Sequence, residues 1–150
     1  MTAHTWTDSV EIARPIEAVF ARVADPVGSR DWIQGLRQVE LVDPAPVRTG
    51  TRFRPTRSVD GRESTEEITV SEFVPHSAVA VAAGVMKGGI ELRIRYALEP
   101  TAAGTRVTSR TEAEPKSLAA RLVFGMFWRA VVQNDAGNLR PLKSLLEPAP

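Results

Sequence analysis

Four side chains of this sequence combine reactive chemistry with positions where the pattern predicts burial: Arg57, Glu66, Tyr96 and Asp135. Glu66 shares a strand face with Ile68 and Val70, and Arg57 lies nearer the adjoining turn on the same side. A guanidinium beside a carboxylate at a cavity mouth can orient a substrate carbonyl or enolate and then move a proton. Asp135 is the one charge in a long apolar helical stripe, costly there unless hydrogen-bonded or protonated. Tyr96 brings a hydroxyl, and Trp128 an indole N–H, into otherwise greasy surroundings. The plainer alternatives are a rim salt bridge, a partly solvated Asp135, and a Tyr96 paired with Trp128 or with backbone. No nucleophile–base spacing is visible.

Other chemistries find little support. Cysteine is absent, and the two histidines, His4 and His76, fall at a frayed end and in a turn, so no metal site is expected. Gly84, Gly88 and Gly89 do not sit between a strand and a helix, so a nucleotide loop is not expected, and no cofactor is expected. A net charge of +1 offers no electrostatic reason for nucleic acid or an anionic membrane as the main partner. Arg52, Arg54 and Arg57 read as a solvated outer face plus one inward member. With 43% hydrophobic residues in 150, one domain spanning residues 1–150 with a real core is expected. The N-terminus lacks a signal-peptide layout, and the longest apolar run, residues 122–132, is interrupted by Arg129. The expectation is a soluble, cytoplasmic protein with no integral membrane association.

The elements that must position those side chains follow from period and punctuation. Residues 5–12 alternate loosely and read as a strand. Pro15 opens a helix whose Ile16, Val19, Phe20 and Val23 form one stripe, and Asp25-Pro26 ends it. A short second helix through Arg30–Ile33 stops at Gly35, and a strand through Val39 and Leu41, extending toward Val47, follows. Asp60-Gly61 is a two-residue hairpin turn. It sets Ser58 opposite Glu63, Arg57 opposite Ser64, Pro55 opposite Glu66 and Phe53 opposite Ile68. Val79 and Val81 belong to a further strand. Residues 91–98 alternate cleanly, with Leu92, Ile94, Tyr96 and Leu98 inward. After a turn at residues 101–104, a last strand runs over 105–113.

Beyond Pro115 the period becomes helical to about Leu146. Phe124, Trp128, Val131, Asp135, Leu139, Leu142 and Leu146 form its stripe, and Pro141 should kink the helix or end its regular part. Leu122, Val123, Met126 and Phe127 lie off the stripe, so the first half of this helix is apolar almost all round.

This is the element order of the helix-grip fold, and the residues resemble the polyketide cyclase/dehydrase branch of the START-like (SRPBCC) superfamily. The matching pieces are Ile12-x-x-Pro15-x-Glu17-x-Val19-Phe20, Asp25-Pro26 with Trp32, and Thr49-Gly50-Thr51-Arg52-Phe53. Further pieces are Val70-x-Glu72-Phe73-x-Pro75, Tyr96-x-Leu98-Glu99-Pro100 with Gly104-Thr105-Arg106-Val107, and Asn138-Leu139-x-x-Leu142-Lys143. The resemblance implies an α+β fold, a seven-stranded curved antiparallel sheet with two short helices and a long C-terminal helix over a hydrophobic cavity. Phe53, Ile68, Val70, Val81, Leu92, Ile94, Tyr96, Phe124, Trp128 and Val131 would line it, with Trp32 capping one side or anchoring its helix. Such pockets measure on the order of 300–1,000 Å³; without the resemblance, a solid core is the simpler reading.

Two functions compete on this basis. One is a binding protein or carrier for a lipid, polyketide or quinone-like molecule, without a cofactor. The other is a cofactor-independent cyclase, aromatase or dehydratase using Tyr96, Arg57, Glu66 or Asp135. Meander geometry also gathers Val85, Met86, Leu118, Val123 and Phe127 into an apolar rim, suited to a portal, a homodimer contact, a regulatory partner or a membrane-touching lip.

Overall fold

A computed structural model describes residues 4–59, 61–84, 89–133 and 138–147. Their strands are β1 (His4–Ile12), β2 (Leu36–Leu41), β3 (Arg52–Val59), β4 (Arg62–Thr65), β5 (Ile68–Val74), β6 (Ala78–Ala83), β7 (Ile90–Pro100) and β8 (Thr105–Pro115). Helices are α1 (Ile16–Val23), α2 (Leu118–Gln133) and α3 (Leu139–Leu146), with a 3₁₀ turn over Val27–Asp31 after α1. The strands form one curved antiparallel sheet in the order β1-β8-β7-β6-β5-β3-β2, with β4 paired to β3. From β5 to β8 the sheet is a meander. β1 returns beside β8, and the α1–3₁₀ segment carries the chain from one edge to the other.

The hairpin follows its turn chemistry. Gly61 takes a φ of +77° (Asp60 lies outside the described residues), and the ladder pairs Ser58 with Glu63 and Arg57 with Ser64. Phe53 pairs with Ile68 as expected, but Pro55 does not pair with Glu66. Glu66 and Glu67 instead leave the ladder, dividing one expected strand into β4 and β5. The reason is local: proline has no N–H for a ladder bond, and Glu67 turns to the outer arginines, 3.8 Å from Arg52 and 3.6 Å from Arg54. The strand after Gly35 ends at Leu41, and Val47 lies in the loop that follows, packed against the core.

The C-terminal helical region departs further from expectation. Asn138 sits at φ +54°, a left-handed position that stops a helix, and α3 begins anew at Leu139. Pro141 therefore produces no kink; it occupies the first turn of α3, where its missing N–H costs nothing. The long apolar stripe is divided accordingly. Leu139, Leu142 and Leu146 join α1, Trp32 and the sheet in the main core. Phe124 and Ala120 of α2 pack with Ile90 and Ala113 in a separate cluster at the other end of β7 and β8.

Arg–carboxylate pairs cover the convex face. Arg52 donates side-chain bonds to both Asp43 oxygens (3.0 and 2.9 Å) and a backbone bond to one (2.8 Å), holding the Asp43 carboxyl down at about 2. Bonds from Arg95 lower Glu72 (2.8 and 3.2 Å), and the Ala13 N–H, then Lys143, lower Glu147. Each carboxyl is more acidic folded than unfolded, so its contribution is complete above the unfolded carboxylate range and is lost as pH falls. Thermal melts should show the midpoint dropping between about pH 4 and 2, and Asp43→Asn should make that drop shallower. Equal pH slopes for variant and wild type would contradict this account.

Candidate ligand cavity

Strand alternation builds most of the site. On a pleated sheet every second residue faces one side, and the concave side collects Phe53, Pro55 and Arg57 of β3 and Ile68 and Val70 of β5. Val79, Val81 and Ala83 of β6 and Leu92, Ile94 and Tyr96 of β7 continue it. Adjacent strands bring these side chains into rows: Phe53 opposite Ile68, Val70 opposite Val81, Val81 opposite Ile94, and Val79 opposite Tyr96. The opposing wall comes from the end of α1 and the 3₁₀ segment, through Val23, Ala24, Asp25, Pro26, Ser29, Trp32, Ile33 and Leu36. Between the walls lies a cavity of about 90 Å³, room for roughly half a dozen waters. That is well below the size expected from the sequence, because the rings of Trp32, Phe53 and Tyr96 fill much of the concave space.

The polar groups on these walls are few. Trp32 is 3% exposed, meets the Tyr96 ring edge-on at 5.8 Å, and its buried Nε1 has no hydrogen-bond partner among the described residues. A buried N–H left without an acceptor costs about 1–3 kcal/mol. Ser29 donates to the Pro26 carbonyl at 2.6 Å and is already satisfied. Arg57 is half-buried and makes no ion pair among the described residues. The site therefore offers an apolar chamber with an arginine on one wall, which no described residue pairs, and the Asp25 carboxylate on the other.

Of the residues expected at the site, Trp32, Phe53, Ile68, Val70, Val81, Leu92, Ile94, Tyr96 and Arg57 stand on the walls. Glu66 does not, since it sits in the break between β4 and β5, and it forms no ion pair with Arg57. Asp135 and the side chain of Val131 lie outside the described residues, as do Val85 and Met86 of the expected rim. Phe124 and Trp128 stand away from the cavity. They gather round His4, with ring centres 4.6 and 5.6 Å from it, because α2 leaves the end of β8 and lies against the β1–β8–β7 end of the sheet. Among the described residues, no three His, Asp or Glu side chains converge as metal ligands.

Sequence reasoning missed Val79, Ala83 and Pro55 on the sheet wall. Extending the alternation through Val81 and between Phe53 and Arg57 would have found all three. Ser29, Ile33 and Leu36 had no comparable signal, because their inward orientation depends on how the 3₁₀ segment docks.

The family described as polyketide cyclase/dehydrase and lipid transport matches residues 3–147. Among solved structures, the ZhuI aromatase/cyclase from Streptomyces sp. R1128 superposes with a TM-score of 0.80 at 15% identity, over 97% of this chain and 94% of that one. The di-domain aromatase/cyclase BexL of the BE-7585A biosynthetic pathway gives 0.77 at 18% identity; this chain, 99% covered, spans about half of it (51%). Ara h 8.0201 gives 0.74 at 15% identity, over 97% and 98% of the two chains. Identities this low carry the helix-grip fold and not the chemistry. No protein of curated function matches the chain. No helix among the described residues is long and apolar enough to cross a membrane.

Proposed function

For a chain that belongs to the polyketide cyclase/dehydrase and lipid transport family, we propose a binding or carrier role for a hydrophobic small molecule of lipid, polyketide or quinone-like type. The observation that carries this reading is the apolar cavity between the concave face of the sheet and the 3₁₀ segment, with the Arg57 side chain on its wall. The part of the ligand that enters is compact, a single ring or the end of a chain, and it bears an oxygen acceptor. Burial of its apolar surface supplies affinity at roughly 25 cal/mol per Å², while Arg57 sets its orientation. Glu66 stands off the walls; Asp25 is on the wall opposite Arg57, and no ion pair joins them among the described residues.

Arg57, without a counter-ion among the described residues, favours a second reading. A guanidinium stabilises an enolate as well as it holds a carbonyl, and Tyr96 on the same wall is the one acid–base hydroxyl in reach of cyclase or dehydratase chemistry.

Native mass spectrometry of freshly purified protein is the first test, followed by titration of a naphthol probe that quenches Trp32 fluorescence. Wild type should carry or bind a ligand; Ala83→Phe, which fills the cavity, should lose it. Arg57→Ala should weaken binding about tenfold, as expected for one charge-assisted hydrogen bond. If Tyr96→Phe retains the ligand but abolishes a measurable cyclisation, the enzyme reading replaces the carrier. Equal binding by wild type and Ala83→Phe places the ligand elsewhere and ends the proposal.

A further inference from the structure

α2 presents an apolar face that nothing among the described residues covers. Leu118, Leu122 and Met126 are 74%, 82% and 78% exposed, and their spacing of four places them in one row along the helix. Val123, 54% exposed, lies beside that row. The opposite side of the same helix is already occupied, with Ala120 and Phe124 buried against Ile90 and Ala113. Scattered exposed leucines are ordinary, whereas four large apolar residues on one side of one helix form a patch.

The charges on the helix itself have one sign. α2 contains two arginines, Arg121 and Arg129, and no acidic residue. Arg129 is exposed, lies three residues beyond Met126 on the same side, and has no ion pair among the described residues. The acids near the start of the helix are engaged: Glu91 and Glu114 each lie 3.3 Å from Lys116, and Glu112 lies 2.9 Å from Arg110. The net charge of the whole chain hides this local bias because it sums faces that never act together.

We propose that α2 seats the protein on an anionic lipid surface, with Leu118, Leu122, Val123 and Met126 entering the acyl boundary and Arg129 reaching the headgroup phosphates. Apolar residues on one side with an arginine at the flank are what an interfacial helix requires, and the long arginine stem lets the charge stay at headgroup level. A second copy fits the same face poorly. A two-fold contact sets the patch against itself, bringing arginines together with no acid on the helix to answer them. The helix also adjoins the cavity: Leu92 lines the cavity on one side and packs against the Phe124 cluster on the other.

The test uses the full chain and extruded vesicles of phosphatidylcholine with or without phosphatidylglycerol, read by co-sedimentation. Wild type should bind the anionic vesicles and hardly the neutral ones. That binding should fall several-fold as salt rises from about 0.1 to 0.5 M, as screening of the arginine requires. Leu122→Glu with Met126→Glu should lower partitioning about tenfold or more while leaving the thermal midpoint unchanged, since neither side chain packs in the core. Should that pair fail to fold, Leu122→Gln alone carries the comparison. Arg129→Gln should lose affinity for anionic vesicles only, and Ala83→Phe should retain it, separating this surface from ligand binding. Three results overturn the proposal: no binding of wild type to anionic vesicles, undiminished binding by the Leu122 variants, or a wild-type dimer in solution that Leu122→Glu dissociates.

Discussion

Leu142→Ala should lower the free energy of unfolding by about 2–5 kcal/mol, the range for deleting most of a buried leucine and leaving part of its space empty. Leu142 is fully buried in the main core, between Leu139 and Leu146 on the inner side of α3. The helix has eight residues, too few to persist on propensity alone. Its leucines and its ties to the β1–α1 junction hold it: Lys143 donates to the Glu11 carbonyl, and the Ala13 N–H donates to Glu147 at 2.7 Å. Urea titration should therefore show a lower midpoint at an unchanged slope. Leu122→Ala, the same chemical change on the exposed side of α2, should stay within about 0.5 kcal/mol of wild type. A Leu142→Ala loss as small as that of Leu122→Ala would show that α3 is not packed as described.

The second large effect concerns a glycine. Gly104 closes the turn between β7 and β8 at φ +154°, a backbone conformation that side chains disfavour by about 1–3 kcal/mol. A Cβ there would also stand 2.2 Å from the Ile12 carbonyl oxygen, 2.8 Å from the Arg14 nitrogen and 3.0 Å from the Ala13 Cα. All three are backbone atoms, so no side chain can swing aside to relieve the overlap. The junction is also fixed by the Thr105 hydroxyl, which donates to the Arg14 carbonyl at 2.9 Å. Gly104→Ala should consequently cost about 3–5 kcal/mol and lower the melting midpoint by roughly 10 °C. Gly50→Ala provides the comparison. Its φ is +98°, but nothing lies within 4 Å of the added Cβ, so only the conformational cost of about 1–2 kcal/mol remains. Similar losses in the two variants would mean that the approach to Ile12 is not close.

Some features of this protein follow from neighbours along the chain. The turn at Gly61 carries its own φ requirement, and from it come the pairs Ser58–Glu63 and Arg57–Ser64. Alternation over Leu92, Ile94 and Tyr96 places these three on one wall without reference to anything distant. α1 is framed by Pro15 and Asp25-Pro26, and its apolar stripe names the side it buries. Period and punctuation operate over a few residues, which is why the sheet and most of the cavity wall were legible.

Other features depend on which surfaces meet. Glu66 shares a sequence pattern with Ile68, yet the break that Pro55 and the outer arginines impose removes it from the wall. The unsatisfied Trp32 N–H and the small cavity volume emerge only when the 3₁₀ segment docks on the concave sheet. Most of all, the sequence determined that residues 118–133 are helical and put Phe124 and Trp128 on their inner stripe; tertiary structure decided what that stripe meets. Periodicity names the inner side of a helix, whereas the surface it packs against depends on where the chain breaks and turns. Here Phe124, with Ala120, packs against β7 and β8 apart from the main core, and Leu118, Leu122 and Met126 face outward.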